Sequence, residues 1–430
     1  MIEKTTWPYI ILGSGIAGMA AAEAIKQQDW NAEILMVSAE DELCFNRPML
    51  IKDFAMDGSG ARLFDKQQNW AEQAGVDLKL GVTADSIDRA AKEIKLSDGI
   101  AVTYGKLIYT LGARVTIPPI PGADRANVFT VRTREDMRNI RAAMKNAKNA
   151  VVIGGGMLGL EDAWALQEEK IHVAIIEQKP RVAFGQIDQS AGNLMKKRIE
   201  RMGTDVWLNA QVQEIGDGWV RFLQQKEEGE GTEQHRVPAD LVILSTGVTP
   251  NSELGKQAGL AMSGTNGQWI AVDEEMRTND PCVFAAGDAA ALHGRNDAIW
   301  DEAREMGRVA GTNAAGGTAA YHPVIPEHVF TGYDTEIFTM ADSSGAGTDG
   351  VYIRHGDVEI FDYQRERYIR ISLQDGVIAG ILLINTPELA PEMMAAYEKK
   401  LGEQEVREII QNWKSSHDVN FKPATPFRKR

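Results

Sequence analysis

Short apolar runs that end in glycine alternate with longer stretches of helical period over most of this chain. The runs at 10–12 and 150–153 each lead through closely spaced glycines into a helical pattern, and a further strand pattern follows each helix. Residues 76–111 have the shorter period of strands, and the proline-rich stretch 117–122 predicts a linker. Strands that alternate with helices in this way predict an α/β protein with parallel sheets.

The remainder of the chain changes to a strand-rich pattern. Residues 280–290 predict a buried strand followed by a helix that opens at Gly287 and Asp288. Residues 329–384 alternate as strands do, and the charged segment 391–413 predicts terminal helices. A chain of 430 residues is too long for one ordinary core, so we expect two or three domains.

The glycines that follow the two apolar runs share one spacing. They are Gly13, Gly15 and Gly18 in the first run, and Gly154, Gly156 and Gly159 in the second. In a dinucleotide-binding turn, the first glycine permits the tight turn, the second lets a pyrophosphate approach the backbone, and the third lets the helix pack on the sheet. The helix N-terminus adds unpaired N–H groups and a positive dipole end. Because strands and helices flank both sets, we predict two dinucleotide sites instead of ordinary glycine-rich loops.

Glu177 ends the strand pattern that follows the second glycine set, roughly 20 residues past it, where an acid accepts hydrogen bonds from an adenosine ribose. A carboxylate there disfavours a 2′-phosphate, so the sequence predicts NADH as the coenzyme. Lys179 and Arg181 lie close by and could pair with a phosphate, which leaves NADPH open. The alternative for Glu177 is a solvated strand end.

Composition limits the classes of partner. Lys and Arg number 46 against 61 Asp and Glu, which gives a formal charge of −15. This acidity argues against nucleic acid and anionic membranes, since both require a basic surface. The N-terminus has no signal-peptide pattern and no apolar run reaches membrane-spanning length, so we expect a cytoplasmic protein.

The cysteines and histidines show no metal-site or disulfide spacing. Cys44 and Cys282 are far apart and form no C-x-x-C pair, and the seven histidines include no H-E-x-x-H. We therefore expect no metal. Cys282, within a buried strand pattern, is interpreted as structural. Cys44 is interpreted as a small apolar filler, with a redox nucleophile as the alternative.

Taken together, these motifs resemble the pyridine nucleotide–disulfide oxidoreductase superfamily over about residues 9–385. The resemblance implies a first Rossmann-like domain that binds FAD, split by an inserted second one that binds NADH, and a C-terminal α+β interface domain. The implied boundaries are 1–115 with 249–325, 116–248, and 326–430. Within the superfamily, F-N-R-P-M-L-I-K at 45–52 is similar to an element of reductases for rubredoxin or ferredoxin, nitrite reductase flavoproteins and apoptosis-inducing factor.

The resemblance also implies the site residues. Those for FAD are Gly13, Gly15, Ile16, Ala17, Gly18, Glu40, Arg47, Lys52, Ala84, Thr110, Gly112, Arg132, Gly287, Asp288, Ile299 and Trp300. Those for NADH are Gly154, Gly156, Met157, Leu158, Gly159, Glu177 and Gly247. Lys52 would stabilise negative charge on reduced flavin, and Glu161 would hold it in place. One departure is Thr110-Leu111-Gly112, where relatives have A-T-G.

The implied activity is that of an FAD-dependent NADH oxidoreductase. Hydride would pass from NADH to the flavin, and electrons would leave singly to a rubredoxin- or ferredoxin-type carrier. Two alternatives remain: an NADH oxidase, peroxidase or disulfide reductase that uses Cys44, and a flavin-binding NADH sensor or assembly protein with low turnover. The C-terminal domain could form a homodimer or a complex with a partner.

Overall fold

The computed structural model describes residues 4–42, 45–52, 69–226, 231–343, 357–362, 364–416 and 422–423. The chain divides into two compact units. The first comprises the described residues of 1–53, 57–116 and 247–324, and the second those of 117–246 and 325–430. Each unit is built around its own glycine-rich turn.

The main sheet of the first unit has seven strands among the described residues, in the order β3-β2-β1-β6-β5-β4 with β19 also paired to β6. The strands are β1 (Thr6–Leu12), β2 (Ile34–Ser38), β3 (Val76–Leu80), β4 (Ala84–Asp88), β5 (Glu93–Leu96), β6 (Ala101–Tyr109) and β19 (Val283–Ala285). The contacts of β1, β2, β3, β6 and β19 are parallel, whereas β4 and β5 add an antiparallel hairpin. The central strands are apolar and buried, as expected for a sheet covered on both faces.

Smaller strands and several helices complete the described part of this unit. The strands are β7 (Ala113–Val115), β16 (Val248–Pro250), β17 (Met262–Ser263), β18 (Trp269–Val272) and β20 (Ala290–Leu292). The helices are α1 (Ile16–Gln28), α2 (Trp70–Ala74), α6 (Glu253–Gln257) and α7 (Trp300–Ala314). Helices α1 and α7 pack closely because Gly307 and Gly311 have no side chains. A Cβ at either position would lie 2.1 and 2.2 Å from the carbonyl oxygens of Ala17 and Ala21, respectively.

The second unit contains an all-parallel sheet in the order β11-β10-β9-β15-β8. Its strands are β8 (Val128–Thr130), β9 (Asn149–Ile153), β10 (His172–Ile176), β11 (Asp205–Trp207) and β15 (Leu241–Leu244). The helices are α3 (Arg134–Met144), α4 (Met157–Glu168) and α5 (Gln189–Arg201). An antiparallel sheet of β12 (Ala210–Gly216), β13 (Trp219–Gln225) and β14 (Thr232–Pro238) covers one side through a shared apolar core.

The C-terminal part of the second unit is an antiparallel sheet in the order β21-β22-β25-β24-β23-β26. Its strands are β21 (Glu327–Gly332), β22 (Thr335–Ala341), β23 (Val358–Asp362), β24 (Arg367–Gln374), β25 (Val377–Ile384) and β26 (Lys422–Pro423). Helices α8 (Ala390–Glu398) and α9 (Glu403–Ser416) pack on one face through Met393, Val406 and Trp413. The alternating sequence of this region therefore buries one face under its own helices.

The α/β class and the two Rossmann-like parallel sheets predicted from the sequence are confirmed, whereas the helix predicted to open at Gly287 is wrong. Residues Gly287–Ala289 form a single 3-10 turn, and the chain continues as β20. Gly287 has a φ of +70°, which does not fit a helix start, and residues 290–292 pair in parallel with β18. The division into three domains stays a prediction.

Candidate functional site: two glycine-rich turns

The first turn joins β1 to α1 through glycines that have different surroundings. Gly13 has a φ of +104°, and a Cβ there would lie 2.2 Å from the carbonyl oxygen of Thr110. A Cβ on Gly18 would lie 2.1 Å from the carbonyl oxygen of Gly13. Gly15, the N-cap of α1, has nothing within 4 Å of that position. A side chain would therefore clash at Gly13 and Gly18, whereas the space beside Gly15 is free. Gly15 lies at a helix N-terminus, which favours the binding of an anion.

Three predicted FAD contacts gather at the end of β2. The Arg47 guanidinium forms an ion pair with the Glu40 carboxylate and stacks on the Phe45 ring, 4.7 Å from its centroid. Glu40 accepts at its carbonyl the N–H of Gly81 (3.0 Å). Ala84 follows three residues later, at the start of β4. Glu40 thus contacts Arg47 through its carboxylate and the segment that leads to Ala84 through its backbone.

Asn251, for which the sequence predicted no role, holds the segment that follows β6 in place. The Thr110 hydroxyl donates to the carbonyls of Leu12 (2.8 Å) and Gly13 (3.1 Å) and so joins the turn to β6. Asn251 donates its amide N–H to the Leu111 carbonyl (2.9 Å) and its backbone N–H to the Gly112 carbonyl (2.9 Å). The substituted Thr110-Leu111-Gly112 segment is therefore held by Asn251, which lies in the T-P-N sequence that ends β16.

Asp288 lies in the 3-10 turn before β20, and Trp300 is the first residue of α7. A Cβ on Gly287 would lie 3.0 Å from the Cβ of Ala17, which places the neighbouring half-buried Asp288 beside the first turn of α1. Ile299 is the N-cap of α7, and the Nε1 atom of Trp300 is buried with no hydrogen-bond partner among the described residues. An unpaired buried donor costs free energy unless a ligand or water satisfies it, so it fits a polar group bound here.

A buried carboxyl supports this segment. Glu302 accepts hydrogen bonds from the Asp297 N–H (2.9 Å) and from the Tyr321 hydroxyl (3.1 Å). Burial, the largest influence, raises the pKa of Glu302, and the charges of Asp297 and Asp288 act in the same direction. Through these hydrogen bonds Glu302 connects the residues before α7 to Tyr321, near the C-terminal end of the first unit.

The second turn, between β9 and α4, repeats the first. Gly154 has a φ of +112°, and a Cβ there would lie 2.1 Å from the Ser245 carbonyl oxygen. A Cβ on Gly159 would lie 2.1 Å from the Gly154 carbonyl oxygen, whereas Gly156, the N-cap of α4, has nothing within 4 Å. The two turns therefore share a closed first and third glycine and an open second one.

Glu177 lies directly against the second turn and is 9% exposed. Its carboxylate accepts the N–H of Gly155 (2.6 Å) and the N–H of Lys179 (2.7 Å). Arg181 is buried, and its guanidinium donates to the carbonyls of Ile187 (2.8 Å) and Phe184 (3.0 Å). Arg181 thus holds its own loop.

Two adjacent carboxyls lie on α4 below the turn. Glu161 is 4% exposed and Asp162 is 3% exposed. Burial and then the charge of Glu161 raise the pKa of Asp162 to about 8, while a hydrogen bond from the Ser245 side chain opposes them. Sequence analysis singled out Glu161 and overlooked Asp162, although an acid in an apolar helical pattern was a visible signal.

The remaining predicted site residues are divided between the two units. Lys52 is half-buried in the first unit, and Arg132, predicted to contact FAD, precedes α3 in the second. Gly247, predicted to contact NADH, belongs to the first unit, where its carbonyl accepts the Thr116 N–H (2.9 Å). Met157 and Leu158 form the first turn of α4, with Leu158 59% exposed.

The two cysteines differ in what can be said of them. Cys44, proposed in the alternative as a redox nucleophile, lies outside the described residues. Cys282 is half-buried just before β19, where its N–H donates to Asp280 (2.9 Å) and its carbonyl accepts the Leu107 N–H (2.9 Å). Across the part of the chain that the structure describes, no cluster of three or more His, Cys, Asp or Glu could hold a metal ion.

Comparison with known proteins decides the family. The model of the pyridine nucleotide-disulphide oxidoreductases matches residues 7–362. The chain belongs to this family. It is accordingly an FAD- and NAD(H)-dependent oxidoreductase, as the sequence predicted.

Relatives of the family include carrier-protein reductases. The chain is 32% identical to the anthranilate 1,2-dioxygenase system ferredoxin–NAD(+) reductase component of Burkholderia cepacia, over 73% of this chain and 77% of the relative. The crystal structure of NADH:rubredoxin oxidoreductase from Clostridium acetobutylicum has a TM-score of 0.76 and 26% identity, covering 92% of this chain and 96% of that one.

A relative with another substrate is also similar. The NAD-dependent persulfide reductase from A. fulgidus has a TM-score of 0.79 and 25% identity, covering 97% of this chain and 80% of that one. Family membership therefore leaves the electron acceptor open. Among the described residues, no helix is long and apolar enough to cross a membrane.

Proposed function

We propose that this protein transfers electrons from NADH, through FAD, to a small rubredoxin- or ferredoxin-type carrier. The observation that carries the proposal is the pair of glycine-rich turns. Of the three spaced glycines in each turn, only the one that precedes the helix has free space where a side chain would lie. The first turn would hold FAD, which would supply the chemistry that links a two-electron hydride donor to one-electron acceptors. The carrier class is supported by the names of the ferredoxin and rubredoxin reductases to which the chain is similar.

In the first unit, we assign four groups of donors and acceptors to FAD. The backbone at Gly15 and the N-terminus of α1 would bind the pyrophosphate, since this end of a helix favours anions. The Glu40 carboxylate would accept from ribose hydroxyls, with Arg47 holding it in place. Asp288 would accept from the ribityl hydroxyls, and Trp300 Nε1 would donate its unpaired N–H.

In the second unit, we assign NADH in preference to NADPH to the turn at Gly156. The Glu177 carboxylate is fixed by two backbone N–H groups and would repel a 2′-phosphate. Arg181, one of the two nearby cations that could have paired with a phosphate, donates to two carbonyls of its own loop. Lys179 stacks over the Phe184 ring, 5.6 Å from its centroid.

Lys52 and Glu161 remain the proposed catalytic pair. The Lys52 ammonium would stabilise negative charge that develops in the reduced cofactor, and Glu161 would orient the ammonium. The proposal rests on the resemblance of F-N-R-P-M-L-I-K to the carrier-reductase element and on the burial of Glu161.

The experiment that tests this function compares electron acceptors. The purified protein is reduced anaerobically with NADH and mixed in turn with oxidised rubredoxin, a plant-type ferredoxin, hydrogen peroxide and a persulfide. We expect fast reoxidation by at least one carrier protein and unchanged rates in Cys44→Ser. Faster reaction with peroxide or persulfide that Cys44→Ser abolishes would instead establish the cysteine-dependent alternative. A flavin that NADH reduces only slowly would favour the low-turnover sensor.

A further inference from the structure

A buried arginine on the C-terminal sheet donates hydrogen bonds to two carboxylates and lies 3.7 Å from a third, that of Glu359. Arg370, on β24 and 7% exposed, donates from Nη1 to Asp188 Oδ2 (2.8 Å) and from Nη2 to Asp357 Oδ2 (2.8 Å). Tyr368, two residues earlier on the same face of the strand and 1% exposed, donates its hydroxyl to the same oxygen of Asp188. The desolvation of such a cluster offsets most of its Coulomb attraction, so its main effect is to fix positions.

Asp188 connects this cluster to the parallel sheet of the second unit. Its other oxygen, Oδ1, accepts the N–H of Ala191 (2.8 Å) and so caps the N-terminus of α5. Asp188 is also the last residue of the loop 178–188, which begins immediately after Glu177. One carboxylate therefore joins the C-terminal sheet to the end of this loop.

The loop 178–188 in turn folds against the second glycine-rich turn. The Ala183 N–H donates to the carbonyl of Gly155 (2.7 Å), while the Gly155 N–H donates to Glu177 (2.6 Å). Within the loop, Arg181 Nε donates to the Ile187 carbonyl (2.8 Å), one residue before Asp188. These hydrogen bonds, joined through the backbone of the loop, thus connect the turn to Arg370.

We propose that Arg370, assisted by Tyr368, is a positioning residue for the NAD(H) site. Through Asp188, Arg370 holds the loop 178–188 in one conformation. In this conformation the Ala183 N–H binds the Gly155 carbonyl, and the Glu177 carboxylate binds the Gly155 N–H. The backbone N–H groups that follow Gly155 are those that would meet the coenzyme pyrophosphate. This inference rests on the assignment of NAD(H) to the second turn. The C-terminal sheet would therefore set coenzyme affinity without touching the coenzyme.

The same two parts of the unit have a second link that supplies a control. At the other end of α5, Arg201 pairs with Glu366 (2.8 Å), and Arg198 pairs with the same carboxylate. This link joins α5 to the C-terminal strands but makes no hydrogen bond to the loop 178–188. Glu366→Gln therefore weakens contact between the same regions and leaves the loop untouched.

The test measures binding by isothermal titration calorimetry, with NAD⁺ added to the oxidised FAD-loaded protein and NADH added anaerobically to the protein whose flavin has already been reduced. We expect Arg370→Met to raise both dissociation constants by roughly three- to thirty-fold, the range for coupling through packed networks. Tyr368→Phe, which removes a single hydroxyl, should shift them in the same direction by less. Glu366→Gln should change them by less than about twofold, the scale expected of a distant site. The apparent KM for NADH should rise in Arg370→Met while kcat at saturating NADH stays near that of the wild type.

Further variants separate failure of the coupling from failure of the site. Gly156→Ala adds a methyl where the structure has open space, so it should fold and weaken NADH binding if the turn holds the coenzyme. Weak binding in Gly156→Ala with wild-type binding in Arg370→Met would overturn the coupling alone. Wild-type binding in both would overturn the site and the coupling together. If Arg370→Met does not fold, unchanged binding in Tyr368→Phe counts against the inference.

Discussion

Asp162 gives a prediction whose sign and size follow from its burial. The carboxyl is 3% exposed on α4, and burial with the adjacent Glu161 raises its pKa from 3.8 to about 8. Between these two values the folded protein keeps a proton that the unfolded chain has released. The stability of the folded state therefore falls as the pH rises through this window. Above pH 8 the contribution becomes constant.

The size of the effect at neutral pH follows from the same values. The usual pKa of 3.8 lies about three units below pH 7, and each unit corresponds to about 1.4 kcal/mol. At pH 7 the Asp162 carboxyl therefore lowers the free energy of unfolding by about 4 kcal/mol, compared with a side chain that stays uncharged. Asparagine has nearly the same shape and no charge at any of these pH values. Asp162→Asn should therefore stabilise the protein at pH 7 by up to about 4 kcal/mol, a large share of a typical domain's stability.

The assay is thermal unfolding of the wild type and Asp162→Asn from pH 5 to pH 8. We expect the difference in midpoint to increase with pH over this range. Asp240→Asn, also in the second unit, is a control of opposite sign. The N–H groups of Lys148 and Asn149 lower the pKa of Asp240, so its removal should destabilise the protein at neutral pH. A pH-independent difference for Asp162→Asn would refute the reasoning.

Three further predictions concern the site residues. Asp288→Ala should weaken flavin retention because it removes an acceptor for the ribityl hydroxyls, and full flavin content after desalting would show the assignment to be wrong. The wild type should prefer NADH over NADPH in kcat/KM, and Glu177→Gln should narrow that preference by about 2 kcal/mol, or roughly thirty-fold, since it removes a charge beside the 2′-position. Equal kcat/KM values for the two coenzymes in the wild type would contradict this. Stopped-flow reduction of Lys52→Met, Glu161→Gln and the double variant should give non-additive effects, whereas simple additivity would mean that the residues act independently.

The glycine-rich turns could be predicted from the sequence because their requirements are local. A strand, a tight turn and a helix N-terminus occupy consecutive residues, and the structure closes Gly13 and Gly18 and opens Gly15 as that pattern requires. The position of Glu177 at the end of β10 could be predicted for the same reason. Its bonds to two backbone N–H groups could not be predicted, since they depend on how the following loop folds back.

Apart from Asp162, the features missed by sequence analysis depend on contacts between distant segments. Asn251 holds Leu111 from 140 positions away in the chain, and Gly307 packs against Ala17. The Gly287 turn was misjudged because the strand that receives residues 290–292 is fixed by tertiary pairing. Judged from its residue type and its place in the sequence, Arg181 could have been a phosphate ligand. Only the loop geometry shows its guanidinium bonded to carbonyls.

The most direct test of the account is the stoichiometry of electron transfer. A limiting amount of NADH is added anaerobically to the FAD-loaded protein with excess oxidised rubredoxin or ferredoxin, and both NADH and carrier are followed by absorbance. The account predicts two carrier molecules reduced per NADH consumed, because a hydride supplies two electrons and each carrier accepts one. NADPH should react far more slowly. Two results would contradict the account: NADH that is consumed without reduction of the carrier, or a carrier that is reduced as fast with NADPH as with NADH.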